Sequence, residues 1–247
     1  MKKGLIVIIL MAMSVTTASV TGAFVSKKRT LNNKIDIQYP NRKPTQPLQD
    51  PNSDDFWFVT TVHDSVRFFE APRSDAKSVL KTDQWLNVYV VGDKIADYFL
   101  IMTVDSDDNI VDYRGWVHRN DLQWTYGAQK NNNNIYRKAL VINHWRKIVP
   151  GKVQDLQQAS VWNGLHDDRQ EVKKLSLFEI YFIFQEQRDE QGNEYYLIGQ
   201  DPVIINFYDA SKVIVGWLPK DRALNWDTRQ AVYFNKANLS NRISSGN

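Results

Sequence analysis

Gly115-Trp116-Val117-His118-Arg119-Asn120-Asp121-Leu122-Gln123-Trp124 and Gly216-Trp217-Leu218-Pro219-Lys220-Asp221-Arg222-Ala223-Leu224-Asn225-Trp226 follow one pattern. Each begins with Gly-Trp and an aliphatic residue, passes through a polar turn and ends in a Trp. The two Gly-Trp steps stand 101 residues apart, and the second stretch reads with one residue inserted. A pattern this long returning at this spacing points to two domains of one architecture.

Outward from those stretches, apolar residues recur with a period of two from residue 56 on. Phe56 to Val59, Val66 to Phe69, Trp85 to Val91 and Tyr98 to Val104 read as strands. Glu70-Ala71-Pro72, Gly92-Asp93 and Asp105-Ser106-Asp107-Asp108-Asn109 read as the turns between them. In the second half, Val161-Trp162-Asn163-Gly164 reads as the counterpart of Val66-Arg67-Phe68-Phe69. Leu177 to Phe182 matches Leu86 to Val90, and Tyr195-Tyr196-Leu197-Ile198 matches Tyr98-Phe99-Leu100-Ile101. Strands of four to eight residues between turn signals predict an all-β chain of two small barrels or sandwiches.

Charge sorts by segment. The 247 residues carry a net +3. Residues 1–23 hold +2 and residues 24–53 hold +4, whereas 54–124 hold −6, 125–152 hold +6 and 153–247 hold −3. A nucleic-acid-binding domain concentrates cationic surface on its folded part, so this distribution argues against a nucleic-acid partner. Cysteine is absent, which excludes disulfides, thiolate zinc sites and Cys nucleophiles.

Met1-Lys2-Lys3, the apolar run Gly4 to Val15 and the small residues ending in Thr21-Gly22-Ala23 make a secretory signal over 1–23. The uncharged stretch 4–25 is also long enough to anchor the chain if uncleaved, which is the one membrane contact expected. Either reading places the body outside the cytoplasm, in a periplasm. Residues 24–53, with Pro40, Pro44, Pro47 and Pro51, read as a solvated tether, and Pro44-Thr45-Gln46-Pro47 matches a PxxP pattern. The first barrel is expected over 54–126, a basic connector over 127–152, the second barrel over 153–234 and a disordered tail over 235–247. Within the connector, Tyr136 to Ile148 reads as a short helix or an extra strand.

The order Val-x-Phe/Trp, central aromatic strand, Tyr-aromatic-Leu-Ile strand and Gly-Trp closure resembles bacterial SH3 domains, over about 56–124 and 155–226. Gly216-Trp217-Leu218-Pro219-Lys220 followed by Trp226-Asp227-Thr228-Arg229 resembles the SH3-like segment of exported type VI secretion accessory proteins, the TssR family. The resemblance implies two SH3-like barrels in tandem and an adaptor role in an envelope assembly. The expected partners are envelope or secretion-apparatus proteins. Peptidoglycan is the alternative partner, and an envelope enzyme the other rival.

The chemistry-bearing residues point to binding. His63, His118, His144 and His166 fall in no metal-ligand spacing, and GxSxG and glycine-rich phosphate loops are missing. The Asp105–Asn109 cluster lacks the Gly and Glu that a calcium loop requires and reads as a hairpin turn. No cofactor, metal or catalytic set is therefore expected. Barrels of this kind present a groove lined by aromatics, which offer flat apolar area with a polar tip. The groove candidates are Phe69, Tyr89, Tyr98 and Trp116 in the first copy and Trp162, Tyr181, Tyr195 and Trp217 in the second. Trp124 and Trp226 are expected at the junction between the copies.

Overall fold

Residues 36–82, 85–142 and 158–226 are described by a computed structural model. The expected leader 1–23, the first part of the tether, residues 143–152 with His144, and the tail 235–247 lie outside the described residues. Short runs of alternating apolar residues give a strand one wet and one dry face, and the regular structure of the described residues is mainly antiparallel strand, with a few short helical turns.

The first copy holds β1 (Phe58–Thr61), β2 (Val66–Phe69), β3 (Ser78–Thr82), β4 (Val88–Ile95), β5 (Tyr98–Val104), β6 (Ile110–His118) and β7 (Leu122–Gln123). The second holds β8 (Lys138–Val141), β9 (Ala159–Trp162), β10 (Glu171–Leu175), β11 (Ile180–Arg188), β12 (Glu194–Gly199), β13 (Ile214–Pro219) and β14 (Ala223–Trp226). The sheets run β3-β2-β6-β5-β4-β1-β7 and β10-β9-β13-β12-β11-β8-β14. Each strand of the second sheet stands where its counterpart seven places earlier stands in the first, so topology is duplicated as well as sequence.

The Gly-Trp step has a backbone cause. Gly115 and Gly216 sit at φ +127° and +136°, beside register shifts in their strands. A Cβ would lie 2.8 Å from the Phe69 carbonyl oxygen in the first copy and 2.7 Å from that of Trp162 in the second. Glycine is required by both the φ and the close approach. The bulge then aims the following Trp inward, and Trp116 and Trp217 are fully buried.

Register corrects three details of the repeat. Phe69 pairs with Trp116 and Trp162 pairs with Trp217, so Trp162 is the counterpart of Phe69, and Val161 that of Phe68 rather than of Val66. Leu86 and Phe178, both at positive φ, precede β4 and β11 at the same point, one residue away from the sequence match. Ala223 faces Val141 as Leu122 faces Thr61, so no residue is inserted in the closing stretch and Trp124 is not the counterpart of Trp226. Trp124 packs on the core of its own copy, with the Arg119 guanidinium 4.7 Å over its ring, and also lines a cleft with Gln129, Phe184 and Gln185 of the second copy.

The copies also begin earlier than expected. Leu48 N–H donates to the Val91 carbonyl (2.8 Å), Val91 N–H to Trp57 (2.9 Å) and Trp57 N–H to Leu48 (2.8 Å). The same three bonds recur from Gln129 to Ile183 (2.7 Å), Ile183 to Arg137 (3.0 Å) and Arg137 to Gln129 (2.7 Å). Each copy therefore opens with a hairpin, 48–57 or 129–137, drawn from the expected tether or connector. The connector goes on to supply β8, which lies between β11 and β14. The Tyr136 to Ile148 ambiguity resolves as strand over Lys138–Val141.

The tether is likewise not all solvated. Residues 36–44 lie as a strap on the first sheet: Ile37 is buried and Gln38 N–H donates to the Glu70 carbonyl at 2.7 Å. Each copy keeps its own apolar core, around Phe68, Val91 and Phe99 in the first and Ala139, Ile183 and Tyr196 in the second. A further cluster joins the copies, with Val62 packed among Leu197, Phe207 and Trp217.

Candidate functional site

Trp116 and Trp217, expected to line grooves, are fully buried, and each is covered by another segment of the chain. Trp116 Nε1–H donates to the Gln38 carbonyl at 2.9 Å, and Ile37 closes a small cluster with Leu100 and Trp116. Trp217 Nε1–H donates to the Val62 carbonyl at 2.7 Å, and Val62 meets Leu197 and Trp217 in the same way. Leu100 and Leu197 pair with their Trp residues in matching register. The two sites thus share one design: a buried indole N–H, a neighbouring Leu, and an incoming aliphatic segment whose carbonyl accepts the bond. An indole N–H left unpaired in such a pocket costs ~1–3 kcal/mol, so each groove selects a segment that brings an acceptor.

The other candidates divide. Tyr89 belongs to the first core, edge-on to Phe68 at 5.8 Å, with its hydroxyl accepting from Asn87 Nδ2 at 2.6 Å. Tyr181 belongs to the second core, and its hydroxyl donates to Glu179 Oε2 at 2.8 Å. Burial and then the Glu179 carboxylate push the Tyr181 phenol far up. Neither tyrosine lines a groove. Tyr195 is buried beside half-buried Trp162, and the Arg169 guanidinium lies over both rings at 5.2 and 5.3 Å. Phe69 and Tyr98 are half-buried and 6.3 Å apart, at the edge of the Trp116 groove.

Phe69 and Tyr98 also face a second space. A cleft of about 480 Å³ opens between the copies, and His63, His118 and His166 all line it. Sequence spacing gives no hint of this convergence, because the three come from separate places: the β1–β2 loop, the end of β6 and the β9–β10 loop. His63 is buried, its ring parallel to that of Trp217 at 5.0 Å and 5.8 Å from that of His166. Burial, then the neighbouring His166, press His63 down to about 3. Its Nε2 lies 3.8 Å from Asp121 Oδ1, and burial pushes the Asp121 carboxyl up to about 7. His118 is lowered by burial, and its Nδ1 accepts from Asn120 N–H at 3.2 Å.

The histidines do not assemble a metal centre: among the described residues no group of three or more His, Asp or Glu is placed to hold a metal ion. The Asp105 cluster is a hairpin turn whose carboxylate accepts from the backbone N–H groups of Asp107 and Asn109, both at 2.9 Å. Asn109 and then Asp107 hold that carboxyl below its ordinary range. Comparison with known proteins finds no matching family model, no matching curated protein and no matching solved structure.

Proposed function

We propose that this chain is an exported, non-catalytic interaction protein of two SH3-like barrels that serves as an adaptor in a cell-envelope assembly. One observation carries the reading. In both copies a buried Trp N–H takes a backbone carbonyl from an incoming segment outside its own sheet. Such a site recognises chain, and chain recognition is what an adaptor does. Further support comes from the insertion before β13, which leaves Ile205 91% and Tyr208 64% exposed; large apolar side chains in that position suit a protein interface. Export rests on the leader read at 1–23, and the type VI context on the likeness of Gly216 to Arg229.

Affinity capture on the full chain from envelope extracts tests the proposal. Enrichment of secretion-apparatus proteins is the expected result, and a capture without them defeats it. Co-sedimentation with purified sacculi at moderate salt, with nothing else captured, would turn the reading to peptidoglycan.

A further inference from the structure

The strap 36–44 is a peptide in a peptide site. It brings Ile37 to Trp116 and Leu100, and the Gln38 carbonyl to the indole N–H. Tyr39 lies edge-on to Tyr113 at 5.4 Å, and Lys43 Nζ sits 4.7 Å over the Tyr113 ring. The Tyr113 hydroxyl donates to the Pro44 carbonyl. Burial, with Tyr113 and then Asp36 and Asp112 beside it, pushes the Tyr39 phenol up to about 12. Yet Asp36, Gln38 and residues 40–43 are exposed, so the strap rests on the sheet without being part of it.

We infer that the Trp116 groove is a docking site for an extended segment of a partner protein, of the pattern aliphatic–polar–aromatic with a basic residue four positions on. Residues 36–44 hold that site in cis as a built-in competitor. Three observations carry this. The strap shows the pattern that fits, Ile37-Gln38-Tyr39 and Lys43. At Trp217 a different segment, Val62-His63, also gives a backbone carbonyl to the indole N–H, there from the aliphatic residue itself rather than from the residue after it. What recurs is an acceptor carbonyl beside an aliphatic side chain. Finally, residues 54–124 carry −6, so a basic segment is favoured on this copy.

A partner segment fits better than a second copy of this chain. The strap is tied to its own body by residues 45–47 alone, because Leu48 is already bonded to Val91. Three residues reach at most ~10 Å, so a strap exchanged between copies would force the two bodies together. A free segment carries no such restriction.

This inference rests on the interaction reading above and deepens it. Its test uses the full chain and a fluorescein-labelled synthetic peptide with the sequence of residues 35–46. Two variants open the groove: Ile37→Asp, which puts a charge against Trp116, and Tyr39→Ala with Lys43→Ala, which leaves Ile37 and the core intact. Both should bind the peptide at least tenfold more tightly than the unaltered chain, whose own strap competes. Adding Trp116→Phe should weaken that binding at least fivefold, and a peptide with Asp at the Ile37 position should not bind. The indole N–H signal of Trp116 should shift on titration while that of Trp217 stays. No saturable binding by either opened variant, or binding indifferent to Trp116→Phe, overturns the assignment. So does concentration-dependent dimerisation that the peptide cannot reverse, which would give the groove to a second copy. A failed titration beside a successful envelope capture removes only the groove. The reverse pair of results removes only the adaptor reading.

Discussion

Trp116 and Trp217 occupy the same place in the same topology, and each gives its N–H to a carbonyl from outside its sheet. The segments that answer them differ in standing. Val62 and His63 belong to the loop between β1 and β2, so the segment filling the Trp217 groove is fixed by the whole first copy. The cluster around it is large and takes in Phe184, Leu197, Phe207 and Trp217. The segment filling the Trp116 groove is a strap with one buried aliphatic residue and a largely exposed backbone. One recognition geometry has been used once as a permanent weld and once as a contact of modest size. The topology repeats, and chain connectivity decides which segment reaches each indole N–H.

Disrupting the weld should therefore cost most. Trp217→Ala removes a fully buried ring and the partner of Val62, and should destabilise the chain by ~3–5 kcal/mol in urea unfolding. Unfolding of the two copies should also separate into two transitions. A single unchanged transition would show that the copies are not coupled through this site.

Replacing each indole by a phenyl ring, which takes the N–H with part of the ring in both copies alike, sharpens the contrast. Trp217→Phe leaves the Val62 carbonyl buried without its donor, at ~1–3 kcal/mol. Trp116→Phe leaves the Gln38 carbonyl on an exposed residue that water can reach, so the loss should be ~1 kcal/mol or less. Equal losses in the two variants would erase the distinction.

The weld also carries opposed titrations. His63 is lowered to about 3, so taken alone it contributes stability that is full above its ordinary 6.5 and lost as pH falls toward 3. Asp121 is raised to about 7, so taken alone it contributes stability that is full below its ordinary 3.8 and lost as pH rises toward 7. Between about pH 4 and 6.5 the folded and unfolded chains then bind the same number of protons through this pair. The unaltered chain should show little pH dependence from it. His63→Phe should make stability fall with rising pH, and Asp121→Asn should make it rise, each by up to ~1.4 kcal/mol per pH unit. The aspartate's slope should be the shallower of the two, because its side chain is 31% exposed. Parallel slopes in the two variants would break this account.

The smallest effect belongs to the surface. Lys220 Nζ bonds Glu186 and lies 3.2 Å from Glu194, while Arg137 meets Glu186 at 3.1 Å. Lys220→Met should cost under ~1 kcal/mol and be masked by added salt, because partly exposed pairs are screened. Trp217→Phe should keep its cost in salt, so the two variants separate a buried hydrogen bond from partly exposed ion pairs.

Some of this was legible in the residues and some was not. Alternation and turn signals marked the strands. The Gly-Trp step marked the duplication, because its glycine answers a local φ and a neighbouring carbonyl. Register was read wrongly at Val161 and Leu177, since a short strand offers the same apolar alternation when slid by one or two residues. β8 stayed open between helix and strand, because Lys138-Ala139-Leu140-Val141 is a single short run far along the chain from β14, one of the strands it joins. The strap was invisible for a related reason. Its proline-rich, polar composition is that of solvated chain, and its burial depends on a Trp 78 residues further on.

Local residues fix what is settled within a few positions: many of the strands and turns, and the repetition of the Gly-Trp unit. The tertiary structure alone decided what answers each indole N–H. That choice depends on which distant carbonyl can reach a buried donor, and reach is a property of the folded path of the chain, not of local composition. The three histidines show the same division: by spacing they fall in no common pattern, and the packing of the copies brings them to one cleft.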